Sequence, residues 1–257
     1  MSLALALQGA HRTGWEIPLL LALLLLVMAM PALHQADLAL AGLFHDSATN
    51  AWLMPKEGGL AHAILYTGAR RLLGIGGGIA ALLLALSAWR QGWTERHSRV
   101  AVALLVLGLT PLTANALKQM TGVSCPSQDI LLGGIRPGVT IWDRLYALAP
   151  FEPNLRCWPA GHAAGGFGLL GLVLLAGTPG WAAAVPRWLF YAPGMATGWA
   201  MGLYQMARGQ HYLTHTLASM LIGLVIPACA CRLYAWQRER AVLNGDNRTD
   251  ELTAKPG

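Results

Sequence analysis

"IPLLLALLLLVMAMPAL", residues 17–33, holds seventeen residues without a charge. A secretory signal has an apolar core of roughly 7–15 residues and is cut away. This run is longer, and five more follow it at about 72–89, 99–117, 161–178, 186–206 and 216–234. A bilayer takes about 20 apolar residues per helical crossing. The run therefore reads as a permanent first membrane helix, and the chain as an all-α, polytopic bundle of six transmembrane helices. A long outer loop, about 118–160, joins helices 3 and 4.

Composition agrees. Of 257 residues, 55% are hydrophobic and 12% charged, against roughly 25% charged in a soluble domain. Residues 1–235 read as one membrane domain, and the polar stretch 236–257 as a disordered cytoplasmic tail. Arg90, Arg96 and Arg99 between spans 2 and 3, with Arg232, Arg238 and Arg240 after span 6, mark the cytoplasmic side. Both termini then lie inside. The net charge of +6 suits a bilayer with anionic headgroups. No basic stripe is interleaved with aromatics, which argues against a nucleic-acid partner. "GIGGGIA" (74–80) lacks the Lys-Ser/Thr of a phosphate loop and reads as small residues for close helix packing in lipid. "TIWDRLYALAP" (140–150) reads as a short interfacial helix with Trp142 and Tyr146 at headgroup level. Cys125 and Cys157 share the second outer loop, where an oxidising compartment would allow a disulfide. Cys229 and Cys231 read as free thiols in the last span.

Chemistry concentrates in three places on one membrane side. Lys118 ends the third span, "CWPAGHAAGG" (157–166) opens the fourth, and "RGQHYLTH" (208–215) links the fifth and sixth. On a helix, Arg208, His211 and His215 would share one face, and such a cationic face needs an anionic partner near a membrane. His211 and His215 also have zinc-helix spacing. A metalloprotease would carry Glu after the first His, where this chain has Tyr212.

Together the three stretches resemble the type 2 phosphatidic acid phosphatase superfamily. "PAGH" (159–162) resembles its P-S-G-H motif. "GQHYLTH" (209–215) resembles its third motif, a Gly-x-His run followed four residues later by Asp. Lys118 with Cys125 and Pro126 resembles its first, K-x6-R-P. The resemblance spans about residues 55–235. It implies a lipid-phosphate phosphatase or phosphotransferase that needs no metal or cofactor and acts through a phosphohistidine. The site would face the periplasm from a bacterial inner membrane. Phosphatidylglycerol phosphate, phosphatidic acid, polyprenyl diphosphate and lipid A phosphates are substrates in such a family.

By that resemblance His211 is the nucleophile, His162 the acid that protonates the leaving oxygen, and Lys118 and Arg208 the phosphate binders. Gly161, opening a helix beside His162, adds backbone donors. Four departures from the pattern stand out. Cys125 replaces an Arg, Ala160 replaces Ser, Gln205 stands where the third-motif Arg belongs, and His215 replaces the orienting Asp. Arg208 is one turn closer to His211 than the family's Arg. Arg136 or Arg156 is the substitute for the lost first-motif Arg, and Asp129 or Asp143 for the lost carboxylate. Without a carboxylate, a more alkaline optimum follows. The alternative reading is a catalytically degraded member that binds anionic lipid or a membrane partner, and a His-based metal site is a third.

Overall fold

Pro31 breaks the first apolar stretch. A proline has no N–H for the helical ladder, and the chain forms α1 (Glu16–Ala29) and α2 (Ala32–Gly42) at 74° to each other. This computed structural model describes residues 16–178 and 184–253, with side chains to residue 240. After α2 come a two-stranded hairpin, β1 (His45–Asp46) and β2 (Ala51–Trp52), then α3 (Gly59–Gln91) and α4 (Glu95–Thr121). Residues 122–160 hold two 3-10 turns and α5 (Ile141–Leu145). α6 (Gly161–Leu175), α7 (Ala192–Ala207) and α8 (Leu213–Thr253) complete the order.

Among the described residues, α3, α4 and the Leu213–Arg240 part of α8 are long and apolar enough to cross a membrane, and the α1–α2 pair makes four if counted as one span. α6 is apolar but short. The expected six crossings are thus not all present as full-length helices. The sixth run also continues further than expected: α8 reaches Thr253, through the stretch read as a disordered tail. Gln-Arg-Glu-Arg-Ala-Val-Leu at 237–243 is rich in helix formers, so nothing local stops propagation.

Close helix approach lies elsewhere than at "GIGGGIA". A Cβ at Gly74, Gly76 or Gly78 would meet nothing within 4 Å, and only Gly77 faces a neighbour, Leu107 of α4. The tight seam is between α6 and α7. A Cβ on Gly166 would lie 2.6 Å from the Gly198 nitrogen, and one on Gly194 2.6 Å from the Leu170 nitrogen. Phe167 and Leu170 fill this seam, fully buried with Ala160 and Ala163. The seam fixes His162, at the start of α6, relative to the α7 end that leads into Arg208.

Candidate active site

The second and third motifs are bonded to each other. Ala160 N–H donates to the His215 carbonyl at 3.1 Å, and the Ser219 hydroxyl donates to the Ala160 carbonyl at 3.0 Å. The first motif joins them through Cys157 N–H to Val123 O (3.0 Å) and Thr121 Oγ1 to Trp158 O (2.8 Å). A disulfide links Cys125 to Cys157 across 32 residues. The position that carries Arg in the family motif is therefore a covalent tether. A double Cys125→Ser/Cys157→Ser variant is expected to lose about 2–4 kcal/mol, read as a lower unfolding temperature in detergent than the oxidised parent.

The hairpin roofs the third motif. Gly209 has φ +67° and the Trp52 ring lies 2.3 Å from where its Cβ would sit, so both conformation and space require glycine. Met54 N–H donates to Ala207 O at 3.0 Å. Arg208 is 5% exposed. Its Nε donates to Pro55 O at 3.3 Å and its Nη1 to Gln205 Oε1 at 2.8 Å. Gln205, standing where the family's Arg belongs, thus clamps the arginine that lies one turn on. Buried acids fasten the other side. Asp37 of α2 accepts from the backbone N–H and hydroxyl of Thr214, satisfying free donors at the start of α8. Asp129 accepts from Tyr212 Oη at 3.0 Å. Burial and then the Asp129 charge hold the Tyr212 phenol far above its ordinary value, so it stays a donor.

His211 and His215 are 5% and 3% exposed, with ring centroids 5.8 Å apart and edge-on. Nδ1 of each is buried without a hydrogen-bond partner. Burial first, then the charges of His215 and Lys118, push His211 well below the usual histidine value, against an opposing contribution from the Cys157 carbonyl. His162 also acts on His211 through its charge, so Lys118, His162 and His215 all lie within electrostatic reach of His211. Arg70 and Arg208 lie within electrostatic reach of His162. A Cβ on Gly161 would meet nothing within 4 Å, so the space beside His162 is open. A cleft between the α1–α2 bend and α5, lined by Met28, His34, Asp37, Trp142 and Thr214, reaches His215.

Most of the substitutes expected for lost motif residues bond elsewhere, but Arg156 also lies within electrostatic reach of Lys118. Arg136 pairs with Glu152 at 2.7 Å, and Arg156 donates to Pro153 O. Asp143 caps α5 through Thr140, and Asp129 binds Tyr212. His215 does not accept from His211 Nδ1. Among the described residues, no third His, Cys, Asp or Glu joins the histidine pair as a metal-ligating group. Burial and the absence of a carboxylate both disfavour the protonated His211 ring, which runs against the expected alkaline optimum. Asp37, Trp52 and Arg70, which lie against the motif residues, were not singled out by the sequence as candidates for the site. Each comes from the stretch before residue 99, which carries none of the three motifs.

Residues 99–240 match the model of the PAP2 superfamily, more than half of the 257-residue chain. The chain belongs to the PAP2 superfamily. The fold of this PAP2 member is similar to the crystal structure of the first transmembrane PAP2-type phosphatidylglycerolphosphate phosphatase from Bacillus subtilis. The TM-score is 0.50 at 14% identity, over 89% of this chain and 98% of that one. At such identity the likeness concerns fold alone. No curated protein matches this PAP2 member.

Proposed function

We propose that this PAP2 protein is a lipid-phosphate phosphatase or phosphotransferase of a bacterial inner membrane, with its site at the periplasmic face. The observation that carries the reading is what surrounds His211. The buried His211 ring lies 5.8 Å from that of His215, with Lys118 and His162 within electrostatic reach, in a member of the PAP2 superfamily. The arginine-rich α3–α4 connection supports the orientation.

His211 Nδ1 is buried, so Nε2 is the nitrogen available for attack. Its lone pair forms the N–P bond while the P–O bond to the lipid breaks. His162 passes its proton to the leaving alkoxide. Lys118 and Arg208 neutralise charge on the non-bridging oxygens. Water, or a second lipid hydroxyl, then attacks the phosphohistidine and gives its proton to His162. Phosphate leaves, or the phosphorylated acceptor does.

The test is phosphate release from phosphatidic acid, phosphatidylglycerol phosphate and undecaprenyl diphosphate by detergent-purified protein in EDTA. Rapid acid-free quenching with labelled substrate should trap an acid-labile, base-stable label on the protein. Release that requires added divalent metal would overturn the mechanism. A second reading, a member that binds anionic lipid without turnover, is favoured by the unpartnered Nδ1 of His211. It predicts saturable phosphatidic acid binding with no release from any substrate.

A further inference from the structure

We infer that Tyr66, on a π-helical turn of α3, is a positioning residue for both His162 and Arg208, an inference that rests on the phosphatase reading above. Tyr66 lies outside the residues 99–240 that match the family. Its ring stacks on His162 with centroids 4.4 Å apart and planes 21° from parallel. The guanidinium carbon of Arg208 lies 5.0 Å from the same ring and 5.1 Å from that of Tyr204. One aromatic side chain thus touches the proposed proton donor and a proposed phosphate binder. His62, one turn earlier, stacks on Tyr66 at 4.8 Å and steadies it.

The backbone beside Tyr66 serves the same histidine. Leu65 O lies 3.0 Å from His162 Nε2. A carbonyl only accepts, so Nε2 is the protonated nitrogen and its direction is fixed. The proton for the leaving oxygen then comes from Nδ1 of the doubly protonated ring, Nε2 keeping its own on the carbonyl. Residues Ala63–Gly68 form a π-helical turn, the kind of irregularity that re-aims groups at functional sites. Gly68 accommodates it, since a Cβ there would lie 2.6 Å from Ala63 O. Carbonyl and ring from adjacent residues therefore hold the imidazole by its edge and its face. A ring so held presents one atom to substrate in one orientation, which proton transfer to a leaving group requires.

The test compares wild type with Tyr66→Phe, Tyr66→Leu and Tyr66→Ala on two substrates. From phosphatidic acid the diacylglycerol leaves as an alkoxide that needs a proton, whereas p-nitrophenyl phosphate releases a stable phenolate. Tyr66→Phe keeps the ring and stays within about 3-fold on both. Tyr66→Leu and Tyr66→Ala lose about 10²-fold in kcat on phosphatidic acid, but less than about 10-fold on the aryl ester. KM rises severalfold for both as Arg208 loosens. Wild-type rates in the Leu and Ala variants, or equal losses on both substrates, overturn the inference.

Histidine-15N NMR gives a readout without turnover. The His162 resonance, identified by its absence in His162→Gln, should report protonated Nε2 in wild type and Tyr66→Phe. In Tyr66→Leu it should report mixed tautomers. An unchanged tautomer in Tyr66→Leu overturns the positioning role. Wild type inactive on both substrates, with this tautomer shift present, would instead sink the phosphatase reading alone.

Discussion

His211→Ala should abolish phosphate release, by at least roughly 10⁴-fold in kcat, with phosphate affinity nearly unchanged. In the proposed mechanism His211 is the nucleophile, so its removal closes the covalent route, whereas removing His162 forfeits only the roughly 10²–10⁴-fold that proton donation contributes. Lys118 and Arg208 remain in His211→Ala, so the ground-state anion still binds. The pH profile is the finer check. Burial, His215 and Lys118 all disfavour the protonated His211 ring, so the nucleophile stays competent as pH falls past 6.5. The acid limb of kcat/KM should therefore lie below pH 6.5, the ordinary histidine value. His215→Asp places a carboxylate beside the ring, favours its protonated form and should move that limb toward higher pH. A wild-type limb above pH 6.5 would mean that His211 is not held neutral by its surroundings.

The apolar runs gave away the membrane class because hydropathy over about 20 residues depends on composition alone. Helix length and direction were less legible. Pro31 turns one run into two helices at 74°, and "GIGGGIA" faces open space while glycines at 194, 198 and 202 make the contacts. Which glycines face a neighbour depends on how the helices rotate against each other, and no local pattern fixes that. The motif histidines were legible because their neighbours in sequence are part of the signal. Their supports were not. His162 is held from 97 residues away at Leu65, Arg208 from 153 at Pro55, and Thr214 from 177 at Asp37. Arg136 and Asp129 drew notice by residue type, and each was already engaged by a nearer partner in space. The Cys125 substitution was likewise ambiguous until folding brought it to Cys157.

Gly198→Leu should prevent recovery of folded, monodisperse protein. A Cβ at Gly198 would lie 2.2 Å from the Phe167 ring, which is fully buried. Gly194 and Gly202, one turn to either side, abut Leu170 and Thr216 at 2.6 and 2.5 Å. Residues spaced by four share a helical face, so α7 presents a glycine groove into which α6 and α8 settle. Small residues permit such close approach, and packing replaces the hydrophobic drive that lipid removes. A leucine at 198 must displace Phe167 or part the helices, at a cost beyond the ~1–3 kcal/mol of ordinary overpacking. The control is Gly76→Leu, where nothing lies within 4 Å and helix propensity improves by up to about 1 kcal/mol. Thermal unfolding in detergent should show the control at or above wild type and Gly198→Leu aggregated or far below. Equal stability of the two variants would mean that α6 and α7 do not meet at this seam, and with it would go the fixed placement of His162 against Arg208.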